Sequence, residues 1–553
     1  MRAWRARGRA GGRLRPMRER RTVQTSTRVF LNAVTNWAAS SVNVAIGVVL
    51  VPFLLWRLGT DAYGLTVILG VALLSFLEVA DFGLRNALGR QLAEQVAKND
   101  MRRFNELASS ATLFYIVLGT LMALVCVLAA PWLVSFVSVP PALQDEAVLL
   151  VRWFASATIL QNFLQMVPKA ALTSANRYDL INAIGVAINI IRGAGLFLIL
   201  GLTDAGLRGW AAATFASFLV ALVLYQIVAY RVQPDMRIRP QYYSHGAMRS
   251  LFRLGGSLFT LEMANLMGVR SDPIVLSTFL GPGAVALYAP GAALATSVRP
   301  LVNTLANQLN PVATRFHVTR QIGALQAVLT RGTRYTLLMG IAACVMLGVF
   351  AGAICQVWLE RSVGPDYRTT AMVMMGWAVI DLFAYAAGSE RAVLVAMNRL
   401  RFAMSVEVTL AVLSLATSIV LVGYTRLGVV AVVIPAIVAG LLRRPILAVY
   451  TSRSCGMTAG AYFRSAYLRP LIVLGFLGAA AAGIARLAAP TTVVSLGWCA
   501  AGVAMLWVAL CWTIGFTAED RASIGSLLSR ARSRLAHEAG RRSAAAKTHE
   551  ETS

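Results

Sequence analysis

The sequence predicts an all-α polytopic membrane protein with about fourteen transmembrane helices: two six-helix lobes related by an internal repeat, then a C-terminal helix pair. Three observations predict it. Hydrophobic residues fill 58% of the 553 positions and charged residues only 14%, with a mean hydropathy of +0.66, so the chain lacks the polar surface that soluble domains of this length need. Apolar runs of about twenty residues, long enough to cross hydrocarbon, recur at short intervals. The chain also repeats itself. Leu58–Gly59 in LGTDAYG returns 222 residues later as Leu280–Gly281 in LGPGAVALY, and Asn176–Arg177 returns at the same offset as Asn398–Arg399. Two matches in one register, far apart in the chain, point to a duplicated unit of about six spans.

Taken in order, residues 1–30 form a basic tail containing ten arginines. It reads as cytoplasmic, because the apolar run that follows is too long for a signal peptide and lacks a cleavage site; Met17 is an alternative start. The N-terminal lobe, residues 31–230, places spans at 32–56, 63–84, 109–138, 147–172, 180–202 and 207–230. A cytoplasmic linker, 231–254, leads to the second lobe, 255–450, with spans at 255–280, 284–309, 332–358, 368–395, 403–423 and 428–450. The extra pair, within 451–517, spans 468–488 and 494–516, and 518–553 is a cytoplasmic tail. Residues 310–331 read as an amphipathic helix on the inner surface. The tail sets Ile524, Leu527, Leu528 and Leu535 among Arg530, Arg532 and Arg534, before a polar end from about Gly540.

Orientation follows from the retention of Lys and Arg on the cytoplasmic side. Basic clusters follow spans two, six, eight and twelve, the last including Arg443 and Arg444, while the alternate loops carry little charge. Both termini of this multi-pass chain are therefore expected in the cytoplasm. The net charge of +27 is topological on this reading, and no stretch interleaves basic and aromatic residues as nucleic-acid binding requires. Six cysteines without CxxC spacing read as small buried apolar residues, and the four histidines are scattered. No metal site and no cofactor is expected.

Charges inside spans carry the functional information, since each costs roughly 2.5–3.5 kcal/mol at the centre of a lone helix. Span one aligns Asn36, Ser40, Asn43 and Gly47; span two, Glu78, Asp81 and Arg85; span five, Asn182, Gly185, Asn189 and Arg192; span eight, Arg299, Asn303, Asn307 and Asn310. Helices polar along one face line a hydrated chamber. Span seven holds Glu262, Arg270 and Asp272, and Pro273 predicts a kink there, as Pro290 does in span eight. At the repeat offset Arg192 meets Ser414, Arg270 meets Val48, Arg299 meets Leu77 and Asp81 meets Asn303. Charges that only one half carries are not demanded by the shared architecture. Arg192, Arg270 and Arg299, with Asn36, Asn43, Asn189, Asn303 and Asn307, are the candidate substrate-binding residues. Asp272, Asp381, Glu262, Glu78 and Asp81 are candidates for charge coupling. Asp81 also fits a structural pair with Arg85, Arg299 also fits snorkelling, and Asp381 fits either a site carboxylate or an arginine's counter-ion. Lys169, Arg391 and Glu407 read as interfacial.

LGTDAYG, the second span ending DFGLRNALGRQLA, the matching LGPGAVALYA and the ANR closing span four together resemble the polysaccharide (Wzx-type) flippases of the multidrug/oligosaccharidyl-lipid/polysaccharide exporter superfamily. The resemblance covers about Arg28 to Tyr450. It implies two lobes around a central cavity with alternating access, and an undecaprenyl-diphosphate-linked oligosaccharide as substrate. Membrane lipids, a polysaccharide polymerase and glycosyltransferases would be its partners. The arginines would meet the diphosphate and the asparagines the sugar. A peptidoglycan lipid-precursor flippase is the alternative, although such arginines cluster in the first two spans and span one here has none in its interior. A multidrug or cation antiporter resembling the bacterial type would carry an acid in span one, and residues 32–56 have none. A membrane glycosyltransferase or O-antigen ligase would need a large outer loop or an acidic metal-binding pair, and neither is visible, so the chain is not read as an enzyme.

Overall fold

The computed structural model describes residues 17–73, 81, 83–256 and 271–522, with side chains from residue 35 onward except at 71–73, 86 and 307. Among the described residues every regular element is helical, and 12 helical segments are long and apolar enough to cross a membrane. Each matches a predicted span. The other two, 63–84 and 255–280, run through residues outside the described ones, as do Glu78, Glu262, Arg270 and the tail beyond 522.

In the first half, α1 (Met17–Leu58) passes unbroken through Pro52 and stops at Gly59, which caps α2 (Thr60–Val67). Next come α3 (Leu84–Lys98) and α4 (Met101–Ser135). The fourth span is assembled from α5 (Pro141–Leu150), a π turn at Val151–Ala155, α6 (Ser156–Leu164) and α7 (Met166–Ser174). Helices α8 (Tyr178–Leu202) and α9 (Gly206–Val232) complete it. The second half runs through α10 (Asp272–Phe279), α11 (Pro282–Thr296), α12 (Arg299–Val318) and α13 (Ile322–Val349). It continues with α14 (Ala351–Val363), α15 (Tyr367–Tyr385), α16 (Ala387–Ala396), α17 (Leu400–Tyr424) and α18 (Val433–Ser454). The short α19 (Ala459–Tyr462), then α20 (Leu468–Ala488) and α21 (Val493–Leu510), follow.

The repeat read from four residues is written through the backbone. Helices α8 and α17 begin and end 222 residues apart, and α2 and α11 begin at the same offset. Gly59 and Gly281 share φ near +80° (80° and 87°), a conformation that a side chain disfavours. Asn176 and Asn398 sit in the left-handed region at φ 55° and 54°. Each is the C′ residue of a Schellman turn: the Arg177 amide donates to the Leu172 carbonyl (3.0 Å) and the Arg399 amide to the Leu394 carbonyl (2.9 Å). The Asn-Arg pair is thus a helix stop.

Several readings change. Residues 310–331 do not form a separate surface helix: α12 runs on through Pro311 to Val318, and a tight turn with Arg320 at φ 55° starts α13. The span-eight break falls at Ser297–Val298, after Pro290 and just before Pro300, which opens α12. Arg443 and Arg444 do not follow the twelfth span but lie inside α18, where Arg444 meets Glu390, and Arg334 lies inside α13, where it meets Asp520. The linker, 231–254, is tied down. Side chains of α4 bind its backbone, Asn105 accepting from the Arg237 amide (2.8 Å) and donating to the Asp235 carbonyl (3.1 Å), and Ser110 accepting from the Ser244 amide (2.9 Å).

The two halves pack tightest at the Leu-Gly turns. A Cβ on Gly64 would lie 1.9 Å from the Pro282 carbonyl oxygen. Beside it the Ser138 amide donates to the Ser277 carbonyl (2.9 Å), and Trp358 Nε1 reaches across from α14 to the Val48 carbonyl (2.7 Å). Helices α20 and α21 pack on α13 through Leu338, Ile341, Val473, Leu477 and Val503. Their far faces expose Trp498 and Met505, as a lipid surface requires. All six cysteines are free and buried, as read.

Candidate functional site

A chamber of about 750 Å³ separates the halves. Ser40, Asn43 and Gly47 of α1 and Tyr63 and Val67 of α2 line one side, Tyr288 and Thr296 of α11 the other, with Trp358 and Trp377 from α14 and α15. The predicted polar stripe of α1 therefore does border a cavity. The stripe of α8 stands behind it: Asn189 Nδ2 donates to Asn43 Oδ1 (2.8 Å), and Arg192 Nη2 donates to Asn189 Oδ1 (2.9 Å). Among the described residues Arg192 has no carboxylate within 4 Å. A half-buried guanidinium without a counter-ion favours an anion nearby.

Arg299 is differently placed. At the start of α12 it turns into the C-terminal half, where Nε and Nη2 lie 2.6 and 2.5 Å from Asp381 Oδ1 on α15 and the guanidinium stacks 5.0 Å from the Trp377 ring. Asp381 is thus the counter-ion of Arg299. Arg299 and Asn303 line a second cavity, of about 260 Å³, wholly within that half. Arg391, Glu407, Arg443 and Arg444 complete its charged lining. The sequence reading assigned these four to the membrane surface. A sign was present, since Arg443 and Arg444 stand inside the otherwise apolar run VAGLLRRPILAVY.

The remaining candidates separate. Asp272 opens α10, and its buried carboxylate accepts from Tyr288 Oη (2.6 Å), which in turn accepts from Trp377 Nε1 (3.1 Å). Asp81 is buried and caps the turn before α3, accepting from the backbone amides of Gly83 (2.8 Å) and Arg85 (3.3 Å). Asn36 reaches Thr304 of α12 at 3.5 Å, at the opposite end of the chamber from the Leu-Gly turns. Asn307 lies on α12, but its side chain is outside the described residues, and Arg270, Glu262 and Glu78 are outside altogether. No group of three or more His, Cys, Asp or Glu side chains able to hold a metal occurs among the described residues.

The chain matches the polysaccharide biosynthesis protein family over residues 31–317, more than half its length. The Bacillus subtilis (strain 168) membrane protein EpsK, described as uncharacterized, is 22% identical over 80% of this chain and 86% of its own. Among solved structures, the lipid II flippase MurJ in an inward closed conformation superposes with a TM-score of 0.63 at 13% identity, over 87% of this chain and 98% of that one. An inward-facing multidrug resistance MATE family transporter of the MOP superfamily gives 0.60 at 15%, over 76% and 98%. These likenesses establish the shared fold. The chain belongs to the polysaccharide biosynthesis protein family.

Proposed function

We propose that the protein flips an undecaprenyl-diphosphate-linked oligosaccharide, an exopolysaccharide or O-antigen-type repeat unit, from the cytoplasmic to the outer leaflet of a bacterial inner membrane. Both termini lie in the cytoplasm on this reading. Residues 31–230 and 255–450 act as the two moving lobes, 451–517 as an added pair, and 231–254 as the strap between lobes. The observation that carries it is Arg192, a membrane-embedded cation with no carboxylate within 4 Å among the described residues, bonded through Asn189 to Asn43 on the chamber wall. Such a group meets a diphosphate with charge-assisted hydrogen bonds, and asparagine amides suit sugar hydroxyls. Arg270, Arg299, Asn36, Asn303 and Asn307 join this assignment. Asp272 and Asp381, with Glu262, Glu78 and Asp81, are the carboxylates proposed to couple charge to the movement. Asp272 is the best placed, because its partner Tyr288 borders the chamber. A polysaccharide polymerase and glycosyltransferases would supply and consume the substrate.

Two measurements test the reading. Arg192→Ala and Arg270→Ala should each abolish lipid-linked glycan export while the protein still inserts; normal export by both would remove the site assignment. Mass spectrometry of copurifying lipids should find a diphosphate-linked oligosaccharide, whereas a disaccharide-pentapeptide lipid would instead favour a peptidoglycan-precursor flippase.

A further inference from the structure

The cavity inside the C-terminal half is charged beyond what its own acids balance. Four arginines line it, and three are matched one to one: Arg299 with Asp381, Arg391 with Glu407 at 3.4 Å, and Arg444 with Glu390 at 3.1 Å. Arg443 is the fourth. Among the described residues it has no carboxylate within 4 Å; Arg444, Arg391 and Arg299 repel it, and Glu407, already engaged, is the acid that attracts it. Its Nε is buried without a hydrogen-bond partner. Arg444 adds to the deficit: 6% exposed, it spends Nη1 on Glu390, while Nε and Nη2 are buried and unpartnered. Three guanidinium N–H positions thus lack acceptors on neighbouring residues of α18 that both line the cavity of about 260 Å³. Leaving such donors unmet costs roughly 1–3 kcal/mol each, more when charged. The space is large enough for a phosphate or diphosphate group. Arg391, with 44% of its side chain exposed, is its accessible member.

We propose that this cavity is an anion site for a phosphate or diphosphate group, with Arg443 as its principal charge, Arg444 as its buried donor and Arg391 at its entrance. The group could come from an isoprenoid diphosphate headgroup or from a soluble phosphate, and the chemistry recognised is the same. The assignment stands apart from the transport reading: Arg443, Arg444 and Arg391 lie outside the inter-lobe chamber, Arg299 and Asn303, which also line this cavity, take no part in it, and its test reads binding alone.

The test uses the full chain, purified in detergent at low salt and titrated with sodium pyrophosphate, with affinity read calorimetrically. Wild-type protein should bind. Arg443→Gln and Arg391→Gln should each weaken the dissociation constant at least tenfold, Arg443→Lys should recover part of the loss, and Arg453→Gln, which removes an exposed charge near the end of the same helix, should leave it unchanged. Because Arg391 is exposed, its variant decides the matter even if Arg443→Gln fails to fold. Farnesyl diphosphate that displaces pyrophosphate marks the lipid headgroup as the source, and failure to displace marks a soluble anion. Absence of pyrophosphate binding to wild type, unchanged binding in Arg391→Gln, or equal loss in Arg453→Gln would overturn the site.

Discussion

Arg192 and Arg299 are the same side chain under two electrostatic regimes. Arg299 has Asp381 against it and an aromatic face beside it, whereas Arg192 has only an asparagine. Asp381 is 1% exposed and Arg299 keeps 24%, so removing the acid strands a mostly desolvated cation. Asp381→Asn should therefore lower stability by about 3 kcal/mol, at the lower end for a broken buried pair because Arg299 retains some water. Replacing both, as Arg299→Met with Asp381→Leu, should recover most of that loss. Thermal unfolding in detergent measures both, and a double variant no better than the single would refute the pairing argument. The sequence showed that these arginines belong to one half only, yet it could not separate a paired charge from an unpaired one. Arg299 and Asp381 stand 82 positions apart, and nothing local joins them.

Among elements, turns were legible and long-range locks were not. Gly59, Gly281, Asn176 and Asn398 announce themselves because only glycine and asparagine take positive φ cheaply, so a duplicated backbone keeps them in register. Asn176→Gly should therefore be tolerated and Asn176→Val should cost roughly 1–2 kcal/mol, read from detergent melting curves. Arg334 and Asp520, 186 positions apart, fix the end of the helix pair to α13 in a way no window of sequence reveals. Asp520 is buried, which alone would raise its pKa. Hydrogen bonds from Tyr335 and Thr517 and the charge of Arg334 outweigh that, and its pKa lies below the ordinary value. An acid depressed on folding contributes stability that is fully present above its unfolded pKa, about 3.9, and disappears as pH falls through the folded value. Protease resistance of the C-terminal segment should accordingly decline below about pH 4 in the wild type. Asp520→Asn should be less resistant at neutral pH and lose that pH dependence.

For the whole molecule the question is what must part for the chamber to open. At the Leu-Gly end the halves meet backbone to backbone, with Gly64 against Pro282 and Ser138 bonded to Ser277, while at the other end the described contact is a 3.5 Å bond between Asn36 and Thr304. Among the described residues the tighter closure is therefore at the end that the charge pattern assigns to the outside. Gly64 is decisive because its missing side chain permits the approach: a Cβ there would sit 1.9 Å from a main-chain oxygen, which cannot rotate away. Gly64→Val should wedge α2 from α11 and shift the population toward chambers open outward, as a rigid obstacle between packed elements biases a two-state equilibrium. A single cysteine replacing Ser40 on the chamber wall, in a chain whose six native cysteines are changed to alanine, reports the shift through labelling by a membrane-impermeant thiol reagent added outside. Labelling should rise several-fold in Gly64→Val, and glycan export should fall because the outer seal can no longer reform. Unchanged labelling with unimpaired export would mean that this contact is packing and not a gate.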